Sequence, residues 1–233
     1  MPTSTVLRPV LIGAATTALG CLLAAAPAPA GAAFAGYLAA ALLIVLGWSR
    51  YRPRPRQFGL ANAVTLARLV GSVWVLALLL QAAWAEPTPL IAICIAVIGS
   101  ACLILDGVDG RIARLRGETS RFGGHFDNET DAGTTLLLSV SLAVLQVGGW
   151  WVVLIGLMRY LYLLAAILVP ALRAPVPFSQ ARRVIGLGQA ILLLLSILLA
   201  GFTSSRWLTV LPAIALLALL WSFGRDAWTQ LVK

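Results

Sequence analysis

The chain has 233 residues, 61% of them apolar, and a mean hydropathy of +0.96. Charged side chains make up only 11%, against roughly a quarter in an ordinary soluble domain, which excludes both a soluble globular domain and a disordered chain. The net charge of +9 comes from 17 basic residues, all arginine except Lys233; they lie between apolar runs, a pattern of membrane topology signals that argues against nucleic acid as a partner.

Apolar runs of membrane-span length fall at 9–26, 32–48, 69–85, 89–105, 132–148, 150–170, 184–201 and 207–223. They predict an all-α integral membrane protein of about eight transmembrane helices. The first run follows Arg8 and ends in the small-residue stretch 26–31, which also fits a secretory cleavage region; a second apolar run follows at once, which favours retention. Between Ser49 and Gln57 the sequence SRYRPRPRQ predicts an extended cytoplasmic linker on an anionic membrane surface. It divides two N-terminal helices, residues 1–56, from a membrane domain over 57–233. The segment from Phe58 to Arg68 is amphipathic at its start and is expected in the interface ahead of the third span. Cys21, Cys94 and Cys102 sit inside apolar runs, without metal-ligand spacing or a disulfide framework.

Arginines mark alternate connections: Arg8, then Arg50 to Arg68, Arg111 to Arg121, Arg173 with Arg182 and Arg183, and finally Arg225 with Lys233. The other connections hold only Glu86 and Arg206. The positive-inside rule therefore places both termini and the 106–131 segment in the cytoplasm. Tryptophans at the ends of the runs read as interfacial anchors.

Of only eight acidic residues, four are Asp106, Asp109, Asp127 and Asp131. Carboxylates at the edge of a membrane helix are costly and mark function by default. On a helix, Asp106, Asp109, Gly110, Ala113 and Arg114 share one face, and Gly123, Asp127 and Asp131 share another. Two helices joined by a turn near Gly117–Gly124 would aim four carboxylates into one space. Like charges that close raise one another's pKa unless cations intervene. Oxygen ligands without His or Cys suit Mg²⁺ or Mn²⁺ and argue against zinc. A pair of such ions makes a clamp for phosphoryl chemistry, while Arg114 can fork onto phosphate oxygens.

The pattern Asp106-x2-Asp109-Gly110-x2-Ala113-Arg114-x8-Gly123-x3-Asp127-x3-Asp131 resembles the signature of the CDP-alcohol phosphotransferases, and Asn62-x2-Thr65-x2-Arg68 resembles the start of that family's first core helix. The resemblance covers about 57–225. It implies a six-helix core, to which the first two spans are additional. It implies transfer of a phosphatidyl or similar group from a CDP-alcohol, with CDP-diacylglycerol as the expected donor, to an acceptor hydroxyl with release of CMP. By position, Asp106, Asp109, Asp127 and Asp131 would bind metal, with Asp131 also the general base. Gly110, Ala113, Arg114, Ser120 and Gly123 would meet the CDP-alcohol, as would Asn62, Thr65 and Arg68. Arg159, Arg182 and Arg183 are candidates for an anionic acceptor, glycerol 3-phosphate first and an inositol phosphate next. The resemblance also implies a homodimer, and the positive-inside placement of 106–131 makes the site face the cytoplasm. His125, Glu118 and Glu129 occupy variable positions and are expected to be solvated bystanders. A proton- or ion-coupled transporter, the competing reading of an intramembrane acid cluster, would not need this motif, nor would a non-catalytic ion-pair scaffold.

Overall fold

The computed structural model describes residues 4–22, 27–50, 57–173, 179–204 and 206–231. The chain is all-helical, with no strand among the described residues. In chain order the helices are α1 (Ser4–Leu22), α2 (Pro27–Arg50), α3 (Gly59–Trp84), α4 (Pro89–Arg116), α5 (Arg121–Val144), α6 (Val153–Leu168), α7 (Gln180–Ala200) and α8 (Val210–Leu231). Short 3₁₀ turns lead into α6 and α8. Among the described residues, six helical stretches are long and apolar enough to cross a membrane: Pro29–Arg50, Gly59–Trp84, Pro89–Arg116, Trp150–Leu168, Gln180–Ala200 and Arg206–Leu231. A shorter apolar stretch, Val6–Gly20, lies in α1.

Two boundaries differ from the sequence expectation for a physical reason. Phe58 to Arg68 is no separate interfacial segment, because from Gly59 onward it forms the first turns of α3. The span expected over 132–148 is the later half of α5, which stops at Val144. Gln146, Gly148 and Gly149 take positive φ just beyond it, a conformation that cannot continue a right-handed helix. The helix begins earlier instead, at Arg121, so its first half carries the polar residues of the motif. Of the Arg/Pro linker, residues 51–56 lie outside the described residues, as do 23–26 of the cleavage-like stretch.

The chain divides into two compact units. One comprises Met1–Glu86 and Val97–Thr134, and thus holds α1 to α3 and the adjoining ends of α4 and α5. Its core is built from Val6, Val10, Tyr37, Ile44, Trp48, Phe58, Leu66, Val70, Phe122 and Phe126, all buried. In a bilayer helices associate through close packing more than through expulsion of water, and the small residues show how. Gly13 of α1 leaves room for the Tyr37 ring of α2, whose hydroxyl donates to the Val10 carbonyl at 2.8 Å. Trp48, at the end of α2, meets Phe122 of α5 edge-on with ring centroids 5.0 Å apart, and Phe58 and Phe126 complete the aromatic group. Helix α2 thereby braces the start of α5.

The other unit, Pro87–Ala96 and Thr135–Lys233, holds the remaining ends of α4 and α5 with α6, α7 and α8. Gly156 of α6 lies against the Leu136 backbone and the Ser139 hydroxyl of α5, with no room for a side chain. Arg173 turns back to cover the end of α6, donating from Nε to the Ala166 carbonyl at 2.8 Å and from Nη2 to that of Ile167 at 3.1 Å. Those carbonyls have no partner within the helix.

Candidate active site

The site is built on the turn between α4 and α5. Helix α4 ends at Gly117, whose φ of +65° suits glycine, and the Glu118 N–H closes back on the Ala113 carbonyl at 2.9 Å. This is the Schellman closure of a helix end. Three residues later Ser120 caps α5, its Oγ accepting the Gly123 N–H at 3.0 Å. The short connection makes α4 and α5 antiparallel neighbours and brings their two motif faces together.

Glu118 ties α3 into this corner. Its Oε2 accepts the Ala61 N–H, in the first turn of α3, at 3.0 Å. Gly59, at φ +75°, leaves the space the carboxylate needs, since a Cβ there would lie 2.7 Å from Oε2. An anion at a helix N-terminus satisfies an orphan donor and suits the helix dipole. Glu118 is therefore no solvated bystander, contrary to the sequence expectation. The acceptor it finds lies 57 residues away, which no local pattern could signal.

The four aspartates converge on one guanidinium. Arg68 is 3% exposed; its Nη1 donates to Asp109 Oδ2 at 2.7 Å and Asp127 Oδ1 at 2.6 Å, while Nη2 pairs with Asp106 Oδ1 at 2.9 Å and with Asp131. Thr65 donates to Asp109 at 3.0 Å, and Asp109 is the most deeply buried of the four. Ligand oxygens of Asp106, Asp109 and Asp127 lie within 4.8 Å of one another. Four carboxylates against one guanidinium leave the cluster negative, and all its donors are hard oxygens. The residues present thus fit a divalent cation of the Mg²⁺ or Mn²⁺ type.

Beside the cluster lies a cleft of about 240 Å³, walled by α3, α4 and α5. Asn62, Thr65, Gly110, Ala113, Arg114, Ser120 and Gly123 line it, with Asp109 and Asp127 at its boundary. Every residue expected to meet the CDP-alcohol is in this lining except Arg68, which sits among the aspartates instead. Gly123 is required here: a Cβ would fall 2.9 Å from Asn62 Oδ1. Arg114 is exposed at the rim. The geometry offers a slot lined by small and polar residues, with a guanidinium at its rim and a carboxylate cluster at its side.

The family model for CDP-alcohol phosphatidyltransferase matches residues 58–227. The chain belongs to this family. Neither a curated protein nor a solved structure matches it. The phosphatidyltransferase match begins at Phe58, directly before α3, and so takes in all the motif residues while leaving α1 and α2 outside. Membership brings a CDP-alcohol and a hydroxyl acceptor as substrates in a membrane setting, with an acidic cluster able to hold a divalent metal.

The three arginines expected at the acceptor lie on α6 and α7 of the second unit. Arg159 is partly buried in α6 and Arg183 exposed in the first turn of α7. Arg182 Nε pairs with Asp226 Oδ2 of α8 at 2.9 Å. Asp226 itself went unremarked in the sequence. Its signal was an acid at the end of an apolar run, next to Arg225.

Proposed function

We propose that this phosphatidyltransferase moves the phosphatidyl group of CDP-diacylglycerol to the hydroxyl of a phosphorylated acceptor, with glycerol 3-phosphate the first choice and an inositol phosphate the second. The observation that carries the reading is the convergence of Asp106, Asp109, Asp127 and Asp131 beside a cleft lined by the other motif residues. Asn62, Thr65, Gly110, Ala113, Ser120 and Gly123 receive the cytidine diphosphate portion, and Arg114 pairs with its phosphate oxygens. The four aspartates would hold the divalent metal, two ions of Mg²⁺ or Mn²⁺. When bound, such ions neutralise the diphosphate and stabilise charge on the phosphoryl group in transfer.

Asp131, among the more exposed members of the cluster, takes the proton of the acceptor hydroxyl. The freed oxygen bonds to the phosphorus that bears the diacylglycerol, the bond from that phosphorus to the CMP oxygen breaks, and CMP leaves with the electron pair. Arg159, Arg182 and Arg183 supply cations for the acceptor phosphate. The site faces the cytoplasm, where the arginine-rich connections lie, and the active form is a homodimer.

The test is CMP release by detergent-solubilised protein given CDP-diacylglycerol, Mg²⁺ and a panel of alcohols. Release that EDTA abolishes and excess Mg²⁺ restores is expected. Asp131→Asn should lower kcat by about 10²-fold or more, the contribution of a positioned base, with a much smaller change in donor KM. No CMP from any acceptor, together with acid-driven solute uptake into liposomes, would sink the reading.

A further inference from the structure

The aspartate cluster carries its own cation. Arg68 is a buried residue of α3, whereas Asp106, Asp109, Asp127 and Asp131 belong to the α4–α5 hairpin, all within one compact unit. Its Nη1 donates to Asp109 Oδ2 and Asp127 Oδ1, while its Nη2 donates to Asp131 Oδ1 and pairs with Asp106 Oδ1. The guanidinium thus engages one oxygen of each carboxylate. Among the described residues no donor reaches the second oxygen of any of the four. The Nε of Arg68 is buried without a hydrogen-bond partner. A buried N–H left unpaired is destabilising, so this side chain takes the position that serves the acids although one donor goes unsatisfied.

The burial is one-sided. The side chains of Arg68 and Asp109 are 3% and 4% exposed, while those of Asp106, Asp127 and Asp131 keep 38%, 35% and 44% of their surface. The guanidinium therefore lies behind the acids, and the carboxylates open on the other side. That open side presents a net charge of −3 rather than −4, four carboxylates less one guanidinium, backed by a fixed positive charge. Two effects on a bound cation oppose each other: Arg68 gathers the carboxylates, and it repels the cation. The backbone positions of the aspartates do not need Arg68, because the Gly117 turn and the Ser120 cap fix the hairpin. Only side-chain rotamers are left to order, and a short side chain has few to lose. Like charges a few ångströms apart in a partly buried site outweigh that gain.

We propose that Arg68 is a built-in counter-charge of the metal centre, one that keeps the four carboxylates assembled before a metal arrives and lowers the affinity for the ion once it does. The inference rests on the reading above that the cluster holds divalent metal. It gives Arg68 a task distinct from the CDP-alcohol contact that the sequence motif implied. Guanidinium and ion share the neutralisation of the acids, so each weakens the binding of the other.

The experiment uses the full chain in detergent without donor and with Mn²⁺ as the probe. It reads Mn²⁺ affinity by electron paramagnetic resonance, and melting temperature in EDTA or in saturating Mn²⁺. Arg68→Gln should bind Mn²⁺ at least about tenfold more tightly than the wild type. Its melting temperature should fall well below that of the wild type in EDTA, the acids having lost their partner, and Mn²⁺ should close most of the gap. Arg68→Lys, which keeps the charge but not the fork, should hold the Mn²⁺ Kd within about threefold of the wild type. Unchanged or weaker Mn²⁺ binding by Arg68→Gln overturns the proposal. So does a melting gap that Mn²⁺ leaves untouched, the mark of an ordinary structural ion pair. Should Arg68→Gln fold only with Mn²⁺, the proposal stands; failure to fold in either medium refutes it. Failure of the underlying reading shows separately, in the wild-type protein, as neither Mn²⁺ binding nor a rise in melting temperature with Mn²⁺.

Discussion

Gly123 shows how tightly a single position can be bound to the proposed function. It faces Asn62 across the cleft, and a methyl group there would meet the amide oxygen at 2.9 Å. Overpacking of this kind costs about 1–3 kcal/mol, so Gly123→Ala should raise the KM for the CDP-alcohol about tenfold or more while acceptor KM stays near its original value. Initial-rate kinetics with each substrate varied in turn would check this, and an unchanged donor KM would remove Gly123 from the nucleotide cleft. The spacing of Asp106, Asp109, Asp127 and Asp131 was legible in the sequence because helical periodicity alone puts each pair on one face. Arg68 was legible as a motif residue, but its place among the four aspartates was not. That depends on how α3 lies against α4 and α5, which periodicity does not encode.

Among the elements, the α4–α5 hairpin is set by local chemistry. Gly117 ends one helix and Ser120 starts the next, so a sequence reader could place the turn near Gly117–Gly124. The docking of α3 onto that turn depends on Glu118, a residue at a variable position of the motif. Glu118→Ala removes the acceptor of the Ala61 N–H and should destabilise the protein by about 1–2 kcal/mol, seen as a lower melting temperature. Because Glu118 also borders the cleft, donor KM should rise with it. An unchanged melting temperature would show that the α3 cap contributes nothing. The charged first half of α5 was legible as helix only through the i, i+4 spacing of Gly123, Asp127 and Asp131, since apolar content locates spans and α5 carries His125, Asp127, Glu129 and Asp131 before its apolar portion begins. Function, rather than hydropathy, dictates where that helix starts.

For the whole molecule, the orientation argued from arginine-rich connections makes its own prediction. In inverted membrane vesicles, a cysteine placed at Thr119 in the α4–α5 turn should react with a membrane-impermeant maleimide. In intact cells it should react only after permeabilisation, and labelling in intact cells would reverse the topology. The membrane class, the helix number and the reaction family all followed from the order of residues, for one physical reason. Hydropathy, helical period and motif spacing are local properties, and a chain carries them whatever its tertiary packing. The bracing of α5 by Trp48, the cap that Glu118 supplies to α3, the guanidinium shared by four aspartates and the pairing of Asp226 with Arg182 are different in kind. Each joins residues tens of positions apart through distances of about 3–5 Å. Such contacts exist only once helices have chosen neighbours and register, and that choice belongs to the packing of the assembled bundle.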